Sequence, residues 1–284
     1  MRAMRLMAAV AALSLLATAC GGDADDADEP ADDTTEEATD DTGEATDVDA
    51  SELELVADGT LTVCSDIPYA PFEFEDPDAP TGYSGFDIEL MGAIADELGL
   101  ELAVIATGFE GLTSGASMAA GQCDVAASAM TITDERAENV DFADPYYEAK
   151  QSLLVPVDAG IESIDDLVEG LAVGVQSGTT GEIYAQENVP GAELIAFESS
   201  GDLFVALEAG RIDAILQDLP VNAEQARGDE GTTVVEEYET DEDYGFAMEK
   251  DRGDGLVDAI NASLAEVRDA GTYDELYDKY FSAE

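Results

Sequence analysis

Residues 61–65 read Leu-Thr-Val-Cys-Ser, a short apolar run that is typical of a buried β-strand. A helical pattern follows over residues 88–98, where apolar residues recur three or four positions apart, and Gly99 stands where a C-terminal cap belongs. Residues 102–106, Leu-Ala-Val-Ile-Ala, repeat the strand pattern. This order of strand, helix and strand indicates an α/β fold with helices on both faces of a sheet.

The same alternation continues and restarts after Pro145. Further strands are predicted at 125–130, 152–157, 172–176, 194–197 and 213–216. Helices are predicted up to Ala120, near 164–168, from Thr180, at 203–209, from Pro220, at 255–270 and at 273–281. Two successive runs of strands and helices predict two lobes, each with a parallel α/β sheet.

The composition disfavours several kinds of function. The 284 residues include 67 Asp and Glu and 10 Lys and Arg, which gives a net charge of −57, and there is no His. Nucleic acid is disfavoured as a partner, because affinity for phosphates comes from Lys and Arg. Without His, neither a His-dependent triad nor a His-ligated metal is possible. The composition therefore excludes these two kinds of site.

The N-terminus is predicted to be an export signal. A basic head at 1–5 precedes a 12-residue apolar run at 6–17, which is too short to span a bilayer. The ending Leu16-Ala-Thr-Ala-Cys20 resembles a bacterial lipobox, so residues 1–20 are interpreted as a lipoprotein signal peptide. Acylation of Cys20 would anchor the exported protein to the outer face of the cell membrane. The alternative is an ordinary cleavable signal with an incidental Cys.

The acidity is divided between a linker and a domain. Residues 21–50 carry 14 acidic residues and no basic residue, which predicts a disordered tether or a solubilising tail. Residues 51–284 carry 53 acidic and eight basic residues. Self-repulsion on this scale destabilises a compact state and salt screens it, so we expect a saline habitat.

Polar and aromatic side chains follow the predicted strands, at the sheet edge where α/β proteins bind ligands. Arg136 can hold a carboxylate through two hydrogen bonds, and the backbone amides near Thr180 add donors for the same anion. Asp218 can accept from an ammonium group. Tyr69 and Phe109 can cover an aliphatic side chain. Together these residues suit an α-amino acid zwitterion.

Each residue also has a structural interpretation. Arg136 can be a surface ion-pair partner of Asp134 or Glu135, because it lies at an evident helix start. Asp218 can cap the helix that follows it. The two aromatic residues can belong to the core.

Seven segments carry a resemblance to a known family. They are Asp66-Ile-Pro-Tyr-Ala-Pro-Phe-Glu-Phe74, Gly85-Phe-Asp-Ile-Glu-Leu90, Ser128-Ala-Met-Thr-Ile-Thr-Asp-Glu-Arg136, Asp141-Phe-Ala-Asp-Pro-Tyr-Tyr147, Gly174-Val-Gln-Ser-Gly-Thr-Thr-Gly181, Gly210-Arg-Ile-Asp-Ala214 and Gly271-Thr-Tyr-Asp-Glu-Leu-Tyr-Asp-Lys-Tyr-Phe281. In this order they cover nearly all of residues 58–281. The chain resembles the family 3 extracellular solute-binding proteins, the amino-acid-binding components of bacterial ABC importers.

The resemblance implies a type II periplasmic-binding fold, with two α/β lobes joined by a two-strand hinge. Residues 51–151 with 247–284 would form one lobe, and residues 152–246 the other. The expected protein is a monomer that captures a small-molecule amino acid between its lobes and delivers it to ABC permease subunits. Such a binding protein needs no catalytic residue, no metal and no cofactor, and none is predicted. Two alternatives are a lyase-type enzyme on the same fold and a sensing subunit of a signalling receptor.

The resemblance also implies roles for single residues. Arg136 would hold the α-carboxylate with Thr131 and the Thr180 backbone, and Asp218 with the Ser128 carbonyl would hold the α-ammonium. The full set of candidate ligand-binding residues is Asp66, Tyr69, Phe109, Ser128, Ala129, Thr131, Arg136, Gln176, Thr179, Thr180 and Asp218.

The side chain of the ligand is predicted to be polar or basic. No base other than Arg136 follows a strand on the site-facing side, whereas Asp66, and more weakly Glu73, can receive an amide or a cationic head. The segment 178–181, Gly-Thr-Thr-Gly, lacks the Lys of a nucleotide-binding P-loop, which argues against ATP.

Cys64 and Cys123 are predicted to form a disulfide, because the exported protein meets an oxidising compartment and the two residues lie on strands that can be neighbours. The alternative is a pair of small buried hydrophobic residues.

Overall fold

The structure is a computed structural model, and it describes residues 50–282. The predictions for the signal peptide, for Cys20 and for nearly all of the tether lie outside the described residues. Within residues 50–282, no helix has the length and apolar character needed to cross a membrane.

The strands, in chain order, are β1 (Thr60–Ser65), β2 (Phe74–Glu75), β3 (Tyr83–Ser84), β4 (Glu101–Ala106), β5 (Val125–Ala126), β6 (Val140–Phe142), β7 (Tyr147–Pro156), β8 (Ala172–Gln176), β9 (Glu193–Phe197), β10 (Ala214–Asp218), β11 (Thr232–Tyr244) and β12 (Ala247–Glu249). The α-helices are α1 (Phe86–Glu97), α2 (Phe109–Thr113), α3 (Ala116–Ala119), α4 (Asp134–Ala137), α5 (Thr180–Asn188), α6 (Ser200–Glu208), α7 (Leu219–Gly228), α8 (Leu256–Asp269) and α9 (Thr272–Phe281). Ala50–Glu52 and Ile164–Asp166 are 3-10 turns.

The strands form two five-stranded sheets, which confirms the two-lobed α/β fold for the described part of the chain. The first sheet has the order β4-β1-β5-β12-β6, and the second has the order β11-β7-β10-β8-β9. Strands β2 and β3 pair separately as a short hairpin. The first sheet takes its strands from residues 60–142 and 247–249, whereas the second takes them from residues 147–244.

The prediction of parallel sheets was wrong for the strands next to the crossings between lobes. Strand β12 is antiparallel to β5 and β6, and β7 is antiparallel to β10 and β11. Both strands enter their sheet directly from the other lobe, after a short connection and without a crossover helix. Their direction follows from the path of the chain between the two sheets, which the local apolar pattern does not record.

Two predicted elements are shorter than expected, because the backbone turns where the pattern looks continuous. The predicted helix up to Ala120 is divided into α2 and α3 by Gly115, whose φ of 72° is left-handed. The predicted strand 125–130 ends at Ala126, and Ala129 has a φ of 43°. The loop after β5 therefore leaves the sheet at the position where the candidate site residues begin.

The C-terminal helices complete the first lobe. The apolar face of α8 (Leu256, Ile260 and Leu264) is fully buried in the core that surrounds the first sheet. Aromatic residues of helix α9 pack against the start of β7, where the ring centres of Phe281 and Tyr147 are 4.8 Å apart. Helices α8 and α9 therefore stabilise the lobe whose first strand is β1.

A disulfide joins Cys64 of β1 to Cys123, which is the pairing predicted from the sequence. The Cα atoms are 5.7 Å apart, and both residues are buried within one lobe beside Leu112 and Met130. The bond closes a loop with a sequence separation of 59 residues.

We expect replacement of both cysteines by Ala to lower the free energy of unfolding by about 4 kcal/mol, because the unfolded chain regains the entropy of that loop. Urea unfolding of the two proteins measures the difference. Peptide mapping without reductant checks the bond itself, and two alkylated thiols at these positions in the unreduced protein would contradict it.

Candidate ligand-binding site

The eleven candidate residues line one small cavity. They come from the carboxyl ends of β1, β5, β8 and β10 and from the start of α2, α4 and α5. Parallel strands bring these ends to the same edge of each sheet, which is where the sequence argument expects a ligand. The structure thus brings all of the predicted residues together; their roles toward a ligand remain predictions.

Arg136 is buried in this cavity and has no carboxylate partner among residues 50–282. Its side chain is held by the short helix α4, which the Thr133 hydroxyl caps. Nη1 donates to the Thr131 carbonyl at 2.7 Å, Nη2 donates to the Gly178 carbonyl at 3.1 Å, and the guanidinium lies 5.1 Å from the ring centre of Phe109. The residue is only 7% exposed. The surface ion-pair interpretation of Arg136 is therefore wrong.

The charge of Arg136 is thus compensated by neutral groups alone at close range. Burial lowers the pKa of Arg136, while the negative charges of Asp218 and Glu242 act in the opposite direction. A buried cation without an ion pair is costly, and an anion that enters the cavity would offset that cost. The arrangement can bind a carboxylate.

Asp218 ends β10 and accepts three hydrogen bonds. Its Oδ2 accepts from the hydroxyls of Tyr69 at 2.7 Å and Tyr244 at 2.6 Å, and its Oδ1 accepts from Gln151 Nε2. Its side chain makes no capping bond to α7, so the helix-cap interpretation is wrong. Burial first, and then the neighbouring charge of Glu242, raises the pKa of Asp218 to about 6.

Asp66 follows β1 and lies under the amide of Gln176, whose Nε2 donates to Asp66 Oδ2 at 2.6 Å. The Asp66 backbone N–H donates to the Ser128 hydroxyl at 3.0 Å, which fixes the loop after β1 against the loop after β5. Burial raises the pKa of Asp66 to about 6, although the Gln176 hydrogen bond opposes this shift.

Glu73, the weaker candidate for contact with the ligand, does not line the cavity. It is fully buried and accepts from the Ser128 hydroxyl, and burial raises its pKa well above the usual range. Asp87 lies behind it and accepts from the Ala129 N–H at 2.8 Å and from the Tyr146 hydroxyl at 2.7 Å. These two acids support the Ser128–Ala129 loop from behind.

The N-terminus of α5 faces the cavity. The Thr179 hydroxyl accepts from the Glu182 N–H and so begins the helix. Helix α5 approaches its sheet closely, because a Cβ on Gly181 would lie 3.2 Å from the Leu216 carbonyl oxygen. Close packing of helix α5 on its sheet therefore accounts for Gly181, and no phosphate-binding role is needed to explain it.

The sequence did not predict three polar residues that hydrogen-bond to the cavity residues. They lie on the two long strands of the second sheet and are Gln151 of β7 and Glu242 and Tyr244 of β11. Glu242 Oε2 accepts from the hydroxyls of Thr131 at 2.8 Å and Thr180 at 2.6 Å. The Thr131 hydroxyl therefore donates to Glu242, while the Thr131 carbonyl accepts from Arg136. With 67 acidic residues in the chain, nothing in the sequence distinguishes Glu242 from its exposed neighbours.

Several contacts cross the cavity between the two lobes. The Tyr69 hydroxyl reaches Asp218, the Gln176 amide reaches Asp66, and Arg136 reaches the Gly178 carbonyl. The lobes are therefore in contact around the cavity.

Comparison with known proteins gives a consistent result. Residues 61–283 match the model of the family described as bacterial extracellular solute-binding proteins, family 3. The ABC transporter glutamine-binding protein GlnH of Bacillus subtilis is 36% identical over 197 residues, which cover 69% of this chain and 72% of that protein. The lysine/arginine/ornithine-binding periplasmic protein of Escherichia coli is 32% identical over 232 residues, which cover 78% of this chain and 87% of that protein.

A solved structure of an ancestral arginine-binding protein bound to arginine is also similar. It is 36% identical, with a TM-score of 0.69, and the match covers 79% of this chain and 99% of that one. The family match spans both sheets and the whole cavity. The chain therefore belongs to the bacterial extracellular solute-binding proteins of family 3.

Proposed function

We propose that this protein is the substrate-binding component of an ABC importer and that its ligand is an α-amino acid with a cationic side chain. One cavity contains both a guanidinium that has no carboxylate partner within residues 50–282 and a carboxylate at the end of β10, and this observation carries the proposal. Arg136 would bind the α-carboxylate with the backbone of Thr180, and Asp218 with the Ser128 carbonyl would bind the α-ammonium. Tyr69 and Phe109 would enclose the side chain.

The charges around the cavity favour a cationic ligand. Arg136 faces three carboxyl groups, those of Asp66, Asp218 and Glu242. A zwitterion leaves this excess of acidic groups unchanged, an acidic amino acid increases it, and a basic amino acid reduces it. Asp66 lines the cavity and is not required by either zwitterion contact, so we assign it to the side chain. The lysine/arginine/ornithine-binding relative and the arginine-bound ancestral protein support a cationic ligand.

The mechanism requires binding and closure and no chemical step. The lobes, which we propose to be residues 51–151 with 247–284 and residues 152–246, would close on the ligand by hinge motion near 151–155 and 245–248. The closed monomer would then present the amino acid to the permease subunits. Arg136 and Asp218 are both present and the relatives are binding proteins, so the chain is not an enzyme.

Two further features concern the location of the protein. We propose that Cys20 carries the lipid anchor at the outer face of the cell membrane and that residues 21–50 act as the tether. We also propose that the acidic domain is adapted to salt, because its eight basic residues cannot neutralise 53 acidic ones.

We expect calorimetry of the amino acids at pH 7.5 to show binding of arginine or lysine and none of glutamate.

Arg136→Ala should weaken the binding by about 2–5 kcal/mol, because it removes the protein's partner in a buried charge pair with the carboxylate of the ligand. Arg211→Ala, at an exposed position of the second lobe, is the control and should bind normally. An unchanged affinity in Arg136→Ala rejects the carboxylate site, and an absence of binding to every amino acid rejects the function.

The affinity for a cationic amino acid should fall as the pH is lowered through 6. In the free protein Asp66 and Asp218 both have pKa values raised to about 6, so they are ionised above this pH and protonated below it. Since the ligand needs the ionised forms, each group reduces the affinity by up to about tenfold at pH 5. Titrations from pH 5 to pH 8 measure this slope.

Asp66→Asn should remove about one of the two tenfold losses of affinity at pH 5, because Asp218 still titrates, and it should abolish the preference for arginine over glutamine. Asp78→Asn, which neutralises an exposed acid in the same lobe, should alter neither property. A full arginine preference in Asp66→Asn would show that the side chain is recognised elsewhere.

The domain should be more stable at high salt. At 1 M salt the Debye length is roughly 3 Å, so most of the repulsion among the surface carboxylates is screened. We expect the melting temperature to rise steadily from low salt to 1 M NaCl, and to rise equally in KCl, because screening does not depend on the cation. A melting temperature that is independent of salt contradicts the proposed adaptation.

A further inference from the structure

Glu242 is a buried acid in a chain whose acids are mostly at the surface. It is 7% exposed and lies on β11, one of the two strands next to the crossings. Its Oε2 accepts from the hydroxyls of Thr131 and Thr180, and its Oε1 accepts from Gln151 Nε2 at 3.0 Å. We refer to Glu242 and these three partners as the Glu242 bridge.

The donors of the Glu242 bridge come from both lobes. Thr131 lies in the loop between β5 and α4 of the first lobe, whereas Thr180 is the first residue of α5 in the second lobe. Their two hydroxyl oxygens are 3.4 Å apart. A single carboxylate oxygen therefore holds one group from each side of the cavity, at the point where the lobes meet.

The backbone of β11 is irregular next to Glu242. The pairing with β7 shifts between Tyr238 and Glu242, so that four positions along β11 correspond to only two along β7. Asp241 has a φ of 50°, in the left-handed region that non-glycine residues seldom adopt. Bulges of this kind redirect side chains next to functional sites, and here the residue after the bulge is buried at the cavity.

The Glu242 carboxylate also adds negative charge near a second buried acid. Gln151 connects the two, because the same Nε2 donates to Asp218 Oδ1 and to Glu242 Oε1. Burying a carboxylate is costly unless its hydrogen bonds are complete. In the closed arrangement three donors complete them, and a rotation that separates Thr131 from Thr180 removes a donor.

We propose that Glu242 is a positioning residue that couples closure of the lobes to assembly of the ligand site. It holds Thr131, whose carbonyl anchors Arg136, and it holds Thr180 at the helix end that faces the ligand. It therefore stabilises the closed form specifically. This inference rests on the proposed function, in that a ligand bound between the lobes is the reporter of closure.

The test is the kinetics of ligand release in the full chain, with variants Glu242→Ala and Glu242→Gln. We expect Glu242→Ala to raise the dissociation rate constant by about tenfold or more and to leave the association rate constant nearly unchanged, because the ligand first meets the open form. Glu242→Gln keeps one acceptor oxygen and should lie between the two proteins. Asp243→Asn, at the exposed neighbouring position, is the matched control and should behave as the unaltered protein.

A double-mutant cycle distinguishes positioning from a general effect on folding. If Glu242 acts through Thr180, the effects of Thr180→Val and Glu242→Ala on the dissociation rate constant will not add. Additive effects overturn the proposal, and so does an unchanged dissociation rate constant in Glu242→Ala. If Glu242→Ala fails to fold, as judged by melting without ligand, the cycle is measured with Glu242→Gln.

The titrations use whichever amino acid binds the unaltered protein most tightly. A neutral amino acid in that place would overturn the cationic ligand while leaving the test of Glu242 in force. If the unaltered protein binds no amino acid, both proposals are overturned.

Discussion

The buried guanidinium of Arg136 is the constraint around which the cavity is arranged. It has two hydrogen bonds to backbone carbonyls, and these carbonyls belong to different lobes, Thr131 in the first and Gly178 in the second. A full positive charge held only by neutral partners is a poor choice for stability alone. The same charge is well placed for an anionic group that contacts both lobes, and such a group would offset this cost.

The strands next to the crossings contribute to this site as much as the strand ends do. Gln151 of β7 and Glu242 and Tyr244 of β11 are all fully or nearly fully buried, and each hydrogen-bonds to another residue of the cavity. Strands β7 and β11 also lie beside the points where the chain passes between the lobes. Under the proposed function, the same hydrogen bonds would couple ligand binding to closure of the lobes.

The sequence predicts those strands and helices whose apolar residues are regularly spaced, and it misses those whose residues are mainly polar. The strands and helices with regular apolar spacing, such as β1, β8 and α8, lie where the pattern places them. Strand β11 was missed because six of its thirteen residues are acidic, which is unusual in a strand, and because one of its faces is only partly buried. The pairing direction of β7 and β12 depends on where the chain crosses between sheets, which no local pattern records.

The candidate site follows the same rule. Arg136 and Asp218 could be predicted because they follow strands and belong to segments with a family resemblance. Glu242 could not, because its burial depends on a bulge in β11 and on a helix that begins about sixty positions earlier at Thr180. In an ordinary composition a lone acid in a strand would attract notice, but this chain has too many acids for that signal.

The position of β12 has a consequence for the order in which the protein is made. In the first sheet β12 lies between β5 and β6, which do not pair with each other, and helices α8 and α9 of the same lobe follow it in the chain. During synthesis the first sheet therefore cannot be completed until residues 247–249 have emerged from the ribosome. All strands of the second sheet, which lie in residues 147–244, are made before the first sheet can acquire its full set of strand pairings.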